Sequence, residues 1–450
     1  MNNKKKSTTR RSAPARKPTR PGPPETVEGG VSRALLAQTT QVLGSVLAFD
    51  YPADAVLSRH FREYREIGHR DRAFIAETIY SIVRRLRWLR GLAGEQATAR
   101  QLVLAWLARG EGWPMRQFES LASPTEREWL EVLKAREADA SSLADQCDMP
   151  DWLVERLLPQ WGEDGLRSLA HSLNRPAPLD LRVNLVKADR DAVLARLATD
   201  GLGAAPCRYS PQGIRMAGKP ALQKHPLFLD GTIEVQDEGS QLLGLLVQPR
   251  RGELVVDFCA GAGGKTLQLG AMMRSTGRLY AFDVSEKRLA KLKPRAARAG
   301  LSNVHPVLIA HERDTKVKRL AGKADRVLVD APCSGLGTLR RNPDLKWRQS
   351  PESVAEMVVK QAAILDSAAR LLRPGGRLVY ATCSPLREEN DAIVDAFLEA
   401  HPEFEQVSAS ELLAAQGVPL DTGARLSLRP DVHETDGFFA AVLVRRPAEA

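Results

Sequence analysis

Two cysteines come directly after predicted strands, at positions where a thiol could react. Cys333 ends an Asp-Ala-Pro-Cys turn that begins at Asp330, at the end of a predicted strand. Cys383 lies in a Thr-Cys-Ser-Pro turn that follows another predicted strand. A single cysteine at a strand end is more commonly a small buried residue than a nucleophile. The case for covalent chemistry therefore depends on what surrounds these two thiols.

A glycine-rich turn earlier in the chain has the features of a cofactor site. Its sequence, CAGAGGK over residues 259–265, follows a short apolar strand that ends at Asp257, and it opens a helix predicted to begin near Lys265. Glycines let the backbone approach a ligand, and the N–H groups at the helix start then face that ligand. A second predicted strand ends in Asp283, near the offset expected for an acid that binds a ribose. The pair indicates a cofactor that carries adenosine.

The same turn also looks like the end of a phosphate-binding loop, because Gly264, Lys265 and Thr266 match the last letters of that motif. The motif requires a further glycine five positions before Gly264, where this chain has Cys259. The turn is also too short to wrap a polyphosphate. We therefore expect S-adenosylmethionine rather than a nucleoside triphosphate.

An adenosine cofactor beside two thiols suggests methyl transfer to a pyrimidine. Carbon 5 of the ring is too poor a nucleophile to take a methyl group from a sulfonium unaided. A thiolate that adds to carbon 6 creates an enamine whose carbon 5 can attack, and a base must then remove the carbon-5 proton before the thiol leaves. Asp330 could hydrogen-bond the N3 and amino edge of the ring and stabilise the charge that develops there. This chemistry does not decide which of the two thiols attacks.

The elements that would position these residues form an α/β fold. From Gly252 onward, predicted strands alternate with helices, which is typical of a parallel, doubly wound sheet with its ligand at the carboxyl ends of the strands. The strands are predicted over 254–258, 278–283, 304–309, 325–330, 376–381 and 438–444. Asp257, Asp283, Asp330 and Cys383 all fall at or just after strand ends.

The chain before this sheet divides into three predicted regions. Residues 1–30 form a tail that is basic at its start and is expected to be disordered. Residues 31–150 have the three-to-four spacing of an all-helical domain, and residues 151–236 combine two short helices with a small α/β module. The arginines between Arg70 and Arg90 predict either a basic strip that binds RNA or an ordinary solvated face.

The amino-acid composition favours some classes of function and argues against others. Sixty-five basic and 55 acidic residues give a net charge of +10, which favours a polyanionic partner such as RNA, although solubility alone would also account for it. The sequence has no long apolar run and no apolar signal segment at its start, so we expect a cytoplasmic protein without a membrane span. Its five cysteines have no metal-ligand spacing, so we expect reduced thiols and no metal.

With these motifs, the chain from about Val31 onward resembles the RNA cytosine carbon-5 methyltransferases of the Sun and RsmB type, which act mainly on ribosomal RNA in bacteria. The helical region 31–150 is similar, less specifically, to the NusB-like RNA-binding domain of that family. The segments that carry the resemblance are VQDEGSQL from Val235, CAGAGGKT from Cys259, DAPCSG from Asp330 with Arg341, Pro343, Asp344 and Trp347, TCS from Thr382, and TDGFF from Thr435.

The resemblance implies a role for each site residue. Cys383 would be the nucleophile and Cys333 would assist release of the methylated product. Residues 237–450 would form a class I, Rossmann-like methyltransferase domain in which Asp283 binds the ribose of S-adenosylmethionine and Asp330 lies near the transferred methyl group. The remaining cofactor contacts would come from the backbone of Cys259, Ala260, Gly261, Ala262, Gly263, Gly264 and Lys265.

The chain departs from the family pattern at two places. The family turn usually reads Cys-Ala-Ala-Pro-Gly-Gly-Lys-Thr, and Gly261-Ala262 here makes it looser. The family also has an aspartate after the third strand, near the adenine amino group. An ungapped count back from Asp330 puts His311 at that place, so His311, a displaced Asp314 or a backbone carbonyl would make the contact.

Two other functions fit parts of the sequence. A catalytically idle RNA-binding factor for ribosome assembly could keep the fold as a scaffold, but it would need neither Cys383 nor the glycine turn, and both are present. A DNA cytosine methyltransferase attacks with the thiol of its Pro-Cys turn and would have no use for Cys383. The sequence therefore favours an RNA methyltransferase, with the idle factor as the alternative.

Overall fold

The computed structural model describes residues 31–137 and 142–447. The predicted basic tail, residues 1–30, lies outside the described residues. Among the helices that are described, none combines the length and the apolar character needed to cross a membrane. In chain order, the molecule consists of a helical region, a small antiparallel sheet with helices, and a large mixed sheet. The domain boundaries given above stay predictions.

The helical region is built from helices whose apolar faces meet in one core. Residues at the predicted three-to-four spacing, such as Ile75, Ile79 and Ile82, are fully buried there. A single π-helical turn, Trp106–Gly110, extends the fifth helix. The helices are α1 (Arg33–Val46), α2 (Ala53–Glu63), α3 (His69–Arg84), α4 (Leu86–Ala93), α5 (Ala99–Ala105), α6 (Pro124–Ala135) and α7 (Leu143–Cys147).

The two short helices predicted after residue 150 lie end to end in one element, α8 (Asp151–Leu173). Its helical geometry is interrupted at Gly162, whose φ of 64° is one that glycine adopts without strain. Apolar side chains of α8 share a core cluster with Leu336 and Leu386. Those two leucines follow the two cysteine turns closely in sequence, so α8 supports the turns from behind.

A small antiparallel sheet follows, as predicted for the α/β module. Its strand order is β2-β3-β1-β4. The sequence prediction lacked β2, because three residues that include a proline show no strand pattern. The elements are β1 (Asp180–Val183), α9 (Arg190–Thr199), β2 (Ala204–Pro206), β3 (Gly213–Met216), α10 (Pro226–Leu229) and β4 (Ile233–Val235).

The large sheet contains all six strands predicted from Gly252 onward, and in addition two short strands that were not predicted. Its strands are β5 (Leu254–Asp257), β6 (Arg278–Asp283), β7 (Val304–Leu308), β8 (Ala324–Asp330), β9 (Leu372–Thr382), β10 (Phe404–Val407), β11 (Leu426–Leu428) and β12 (Phe438–Arg445). Its helices are α11 (Glu238–Val247), α12 (Gly264–Met272), α13 (Glu286–Arg298), α14 (Thr315–Lys318), α15 (Leu345–Arg348), α16 (Pro351–Ala369), α17 (Asp391–Ala400), α18 (Ala409–Ala414) and α19 (Pro430–His433).

The order of the strands in the large sheet determines where a ligand site can lie. The order is β10-β12-β9-β8-β5-β6-β7, with β11 paired to β12. Strands β5 to β9 run parallel to their neighbours, whereas β12 is antiparallel to β9. The chain moves outward from β5 through β6 and β7 and then returns to the other side of β5 with β8. Such a reversal opens a crevice at the carboxyl ends of β5 and β8.

Both faces of the central strands are buried, as expected for parallel strands covered by helices. Val256, Val327 and Tyr380 belong to the core on one face of the sheet, whereas Val255 and Val379 belong to the core on the other. Because side chains alternate between the faces, this register fixes which residues reach the end of each strand.

A short segment after the Cys333 turn joins the large sheet to the helical region. The indole Nε1 of Trp347 donates to the carbonyl oxygen of Val83 at 2.8 Å. The buried ammonium group of Lys346 donates to the carbonyl oxygens of Arg84, at 2.8 Å, and of Asp148. These side chains of α15 are therefore buried anchors between two regions of the molecule.

The arginines of α3 and α4 do not form one exposed strip. Arg84 is buried and donates to the carbonyl oxygen of Arg340 at 3.2 Å. Arg85 pairs with Asp148 at 2.8 Å, and Arg87 pairs with Asp145 at 2.5 Å. Arg84 is therefore part of neither an RNA-binding strip nor a solvated face, because it is buried against the segment after the Cys333 turn, whereas Arg85 and Arg87 form ion pairs within the helical region.

Candidate active site

The carboxyl ends of four neighbouring strands bring the predicted site residues to one edge of the sheet. Asp257 ends β5, Asp283 ends β6 and Asp330 ends β8, while Cys383 comes one residue after β9. These strands are adjacent in the sheet, in the order β9-β8-β5-β6. The two thiols, which are 50 residues apart in sequence, and the glycine turn, which precedes both by more than 60 residues, therefore lie at the same edge of the sheet.

Backbone hydrogen bonds define the glycine turn. The N–H of Ala260 donates to the carbonyl oxygen of Phe282 at 2.8 Å, and the N–H of Gly263 donates to that of Ala260 at 2.8 Å. Gly261 and Gly263 have φ values of 57° and 90°. Glycine takes up such values without strain, so the turn needs glycine at both positions.

The turn leaves donors and space for a ligand. Helix α12 begins at Gly264, and within the described chain the N–H groups of Gly264 and Lys265 donate to no acceptor. No atom lies within 4 Å of the place where a side chain on Gly261 or Gly264 would begin. An open helix N-terminus of this kind suits a carboxylate, such as the one at the methionine end of S-adenosylmethionine.

Asp283 closes the turn from the neighbouring strand. One carboxylate oxygen accepts from the N–H of Gly261 at 2.8 Å, and the other accepts from the N–H of Ser285 at 2.7 Å. Each oxygen can accept further hydrogen bonds, because an ionised carboxylate has about four acceptor sites. The predicted contact with a ribose is compatible with this geometry.

The two predicted catalytic thiols are in direct contact. The Sγ atoms of Cys333 and Cys383 lie 3.4 Å apart, and both residues are reduced and half-buried. The hydrogen bond to Cys383, together with burial, raises the pKa of the Cys333 thiol well above its usual range. Cys333 is therefore a neutral thiol at physiological pH, so it does not compete as a thiolate.

A half-buried ion pair lies beside the thiols. The ammonium group of Lys265 is 2.7 Å from a carboxylate oxygen of Asp330 and lies over the ring of Phe438. Burial works against the charged form of Lys265, but Asp330 and then Cys383 outweigh it, so the pKa of Lys265 is raised. The pair therefore supplies both a cation and a carboxylate at the thiol site.

Asp257 lies near this ion pair and has a structural role. It accepts a hydrogen bond from the Thr266 hydroxyl at 2.6 Å, and its other oxygen has no partner within the described chain. Burial raises its pKa to about 7, more than the Thr266 bond lowers it. Asp257 therefore ties the start of α12 to the end of β5.

Glu389 is a site residue that the sequence did not reveal. Its buried carboxylate accepts from the Ser334 N–H at 2.8 Å, the Ser334 hydroxyl at 2.5 Å, the Gln361 amide at 2.9 Å and the Ser384 hydroxyl. Ser334 follows Cys333 and Ser384 follows Cys383. One carboxylate thus joins the two cysteine turns. The only hint in the sequence was the Glu-Glu-Asn segment that follows Pro385, and such a segment is by itself typical of the polar start of a helix.

The third strand offers no clear substitute for the missing aspartate. His311 is exposed, and its Nδ1 accepts from the N–H of Arg313 at 3.1 Å. The carboxylate of Asp314 accepts from Ala310 N–H at 2.9 Å and from Lys316 N–H at 2.8 Å, because it caps α14. Asp314 is therefore committed to its own turn, and a contact between His311 and adenine stays a prediction.

A group of potential metal ligands lies away from this site. Asp180, Cys207 and Glu238 are buried with their ligand atoms within 4.8 Å of one another. Arg215, however, donates to both oxygens of Asp180, at 2.8 and 3.0 Å, and lies 3.7 Å from Glu238. The guanidinium group thus forms ion pairs with both acids, and the cluster is an ion-pair network between the small sheet and the start of α11.

Two family models match parts of this chain. A family model described as 16S rRNA methyltransferase RsmB/F matches residues 244–444, and a model described as the RsmF/B-like ferredoxin-like domain matches residues 149–223. The chain is 38% identical over 304 residues to the probable ribosomal RNA small subunit methyltransferase B of Synechocystis, which covers 67% of this chain and 68% of the relative.

Similarity extends over nearly the whole chain in other comparisons. The ribosomal RNA small subunit methyltransferase B of Klebsiella pneumoniae is 30% identical over 419 residues, covering 85% of this chain and 92% of the relative. Among solved structures, the crystal structure of PH0851 has a TM-score of 0.76 at 27% identity and covers 92% of this chain and 99% of its own. The helical region and both sheets are therefore shared with a known fold.

Proposed function

Because this chain belongs to the RsmB/F family of 16S rRNA methyltransferases, we propose that it methylates carbon 5 of a cytosine in ribosomal RNA through a covalent adduct with Cys383. S-adenosylmethionine is the cofactor of this family, and it supplies the methyl group as an electrophile. The observation that carries the proposal is the 3.4 Å contact between the two thiols beside Lys265 and Asp330.

The geometry supports Cys383 as the attacking thiol. Cys333 holds its proton, because the pKa of its thiol is raised by the hydrogen bond to Cys383 and by burial, and the Lys265–Asp330 ion pair lies beside the two thiols. The Cys383 thiolate adds to carbon 6 of cytosine, and carbon 5 then forms its bond to the methyl carbon as the methyl–sulfur bond breaks. A base then takes the carbon-5 proton, its C–H electron pair re-forms the double bond between carbons 5 and 6, and the carbon–sulfur bond breaks to release the Cys383 thiolate.

The neighbouring groups have complementary roles. Asp330 would hydrogen-bond the N3 and amino edge of the ring and stabilise the charge that develops there. Cys333, in contact with the sulfur of Cys383, assists the elimination step. The cofactor would be held by the backbone of residues 259–265, by Asp283 at the ribose and by His311 near the adenine.

RNA is the partner that this assignment requires. The net charge of +10 favours binding to a polyanion, and substrate specificity would be spread over the helical region and both sheets. Because ribosomal RNA is modified where ribosomes assemble, we place the enzyme in the cytoplasm.

The test is bisulfite sequencing of small-subunit rRNA from cells with and without the gene, followed by complementation with variants. One cytosine should lose protection on deletion and regain it with the wild-type gene or with Cys207→Ala, a buried thiol remote from the site. Cys383→Ala should not restore protection. If no cytosine changes on deletion, the idle assembly factor becomes the better interpretation.

The two thiols should also differ in a purified reaction. Cys333→Ala should accumulate a protein–RNA adduct that survives denaturing electrophoresis, because release is slowed after methyl transfer. Cys383→Ala should form no adduct. If Cys383→Ala methylates RNA at the wild-type rate, the assignment of the nucleophile is wrong.

A further inference from the structure

The glycine turn is held from its outer side by two arginines. Arg182 of β1 is buried, and its Nη1 donates to the carbonyl oxygen of Gly264 at 2.7 Å. Arg295 of α13 donates from Nη1 to the carbonyl oxygen of Ala262 at 2.5 Å. The first of these residues belongs to the small sheet, not to the sheet that carries the turn.

The second arginine is itself held by the small sheet. Glu234 of β4 is buried and accepts from Arg295 at 2.8 Å, while its other oxygen accepts from Arg298. Burial opposes the charged form of this acid, but Arg295 outweighs it, so the pKa of Glu234 is lowered and the carboxylate is ionised. Both contacts to the turn therefore depend on residues of the small sheet.

A third contact fixes the small sheet against α13. The side-chain amide of Asn184 donates to the carbonyl oxygens of Ala299, at 2.9 Å, and of Gly231, at 3.1 Å. On its other side, α13 packs against the turn, because Leu292 lies where a Cβ on Gly263 would be. Helix α13 is thus held between the small sheet and the cofactor turn.

These contacts set the direction of the donors that face the ligand. A trans peptide places its N–H opposite its carbonyl, so fixing the Gly264 carbonyl outward points the Lys265 N–H toward the cofactor side. That N–H donates to no acceptor within the described chain. A turn with positive φ at Gly261 and Gly263 has many accessible conformations when it is not held.

We propose that Arg182 and Arg295 are positioning residues for S-adenosylmethionine, and that the small sheet completes the cofactor site. This inference rests on the proposed function in one respect, that the turn 259–265 holds the cofactor. The two arginines touch the turn and not the reacting atoms. Their loss should weaken cofactor binding while leaving the thiol chemistry intact.

The experiment is calorimetric titration of the full-length protein with S-adenosylmethionine. Arg182→Met and Arg295→Met should raise the Kd roughly tenfold or more, as expected for the loss of a hydrogen bond from a charged donor. Arg288→Met is the matched control, because Arg288 is an exposed arginine on the same helix, and its Kd should stay within twofold of wild type. Arg182→Lys should recover part of the affinity, since an ammonium group can also donate to a carbonyl.

Steady-state kinetics distinguish a loss of cofactor positioning from a general loss of activity. Both Met variants should show a raised KM for S-adenosylmethionine, with an unchanged KM for RNA and a kcat within about threefold of wild type at saturating cofactor. Circular dichroism shows whether each Met variant folds, and a variant that does not fold is replaced by the corresponding Lys variant. Arg295→Lys should still bind S-adenosylmethionine more weakly than wild type, because a single ammonium group cannot span Ala262 and Glu234.

The outcomes distinguish this inference from the proposed function. Wild-type protein that binds no S-adenosylmethionine would refute the cofactor site as a whole. Wild-type protein that binds it, with Arg182 and Arg295 variants that bind equally well, would overturn the positioning role alone.

Discussion

At the residue scale, one carboxylate joins the two cysteine turns without a hydrogen bond to either thiol. Glu389 accepts hydrogen bonds from both Ser334 and Ser384, and so it fixes the separation of the cysteine turns. Glu388, its neighbour in sequence, pairs instead with Arg156 of α8. The two glutamates therefore form a natural matched pair for mutation.

We expect Glu389→Ala to lower kcat by roughly 10- to 100-fold, because buried donors to a charged acceptor lose their partner and the thiols lose their alignment. Glu388→Ala should keep kcat within about threefold of wild type. The measurement is single-turnover methylation at saturating RNA and cofactor, with circular dichroism to verify folding. Equal loss in the two variants would show that Glu389 has no special role.

Sequence alone revealed residues whose partners are close in the chain. The glycine turn, Asp283 and the thiol turns were found because glycines, acids and cysteines occur at short, interpretable spacings. Glu389, Arg182 and Glu234 were missed, because a charged residue gives no sign of burial when its partners are distant in sequence, as Gly264 is from Arg182. Burial of charge depends on tertiary pairing, which a single sequence does not display.

At the element scale, substitutions in the turn between β5 and α12 should distinguish an effect on folding stability from an effect on cofactor binding. Gly263 has φ 90°, and a Cβ there would meet Leu292 Cδ1 at 2.1 Å. Gly264 starts the helix, and a Cβ there would enter open space. Two alanine substitutions one residue apart should thus have different consequences.

Gly263→Ala should lower the free energy of unfolding by about 1–3 kcal/mol, since alanine is strained at positive φ and collides with α13. Gly264→Ala should leave unfolding within about 0.5 kcal/mol of wild type but weaken S-adenosylmethionine binding. Urea unfolding without cofactor and calorimetric titration measure the two effects. If Gly264→Ala binds the cofactor normally, the ligand does not approach the turn on that side.

The strands of the large sheet that sequence predicted have a clear apolar pattern. Strands such as β5 and β8 are apolar on both faces, which marks buried parallel strands. The strands β2, β10 and β11 were missed, although they are no shorter than β4, which was predicted, so length alone does not explain the difference. The arginines of α3 and α4 were misread for a different reason: their acidic partners lie in and just after α7, and the pairing depends on how the helices pack.

At the scale of the whole molecule, α15 connects the catalytic sheet to the helical region. Lys346 is 1% exposed and donates to Arg84, Asp148 and Asn174. Because α15 follows the Cys333 turn, docking of the helical region and placement of that turn are linked. The small sheet contacts the glycine turn through Arg182, so the helical region and the small sheet are connected to the candidate site at different places, the helical region by way of α15.

Lys346 also makes the free energy of unfolding depend on pH. Burial lowers its pKa to about 8, although Asp148 acts in the opposite direction. The unfolded lysine has a pKa of about 10.4, so between about pH 8 and 10.4 the unfolded state binds more protons than the folded state. This group therefore makes the folded protein more stable as pH rises through that window, and below about pH 8 the penalty of the buried charge is present in full.

Lys346→Met removes this dependence along with three hydrogen bonds. We expect the variant to be destabilised by roughly 2 kcal/mol at about pH 7.5, because buried acceptors lose their donor. The deficit relative to wild type should grow by about 1–2 kcal/mol at about pH 9.5, since only the wild type gains stability there. Urea unfolding at the two pH values measures both effects, and the exposed Lys360→Met is the control. An equal deficit at both values would mean that Lys346 keeps an ordinary pKa in the folded protein, and that its anchoring is purely geometric.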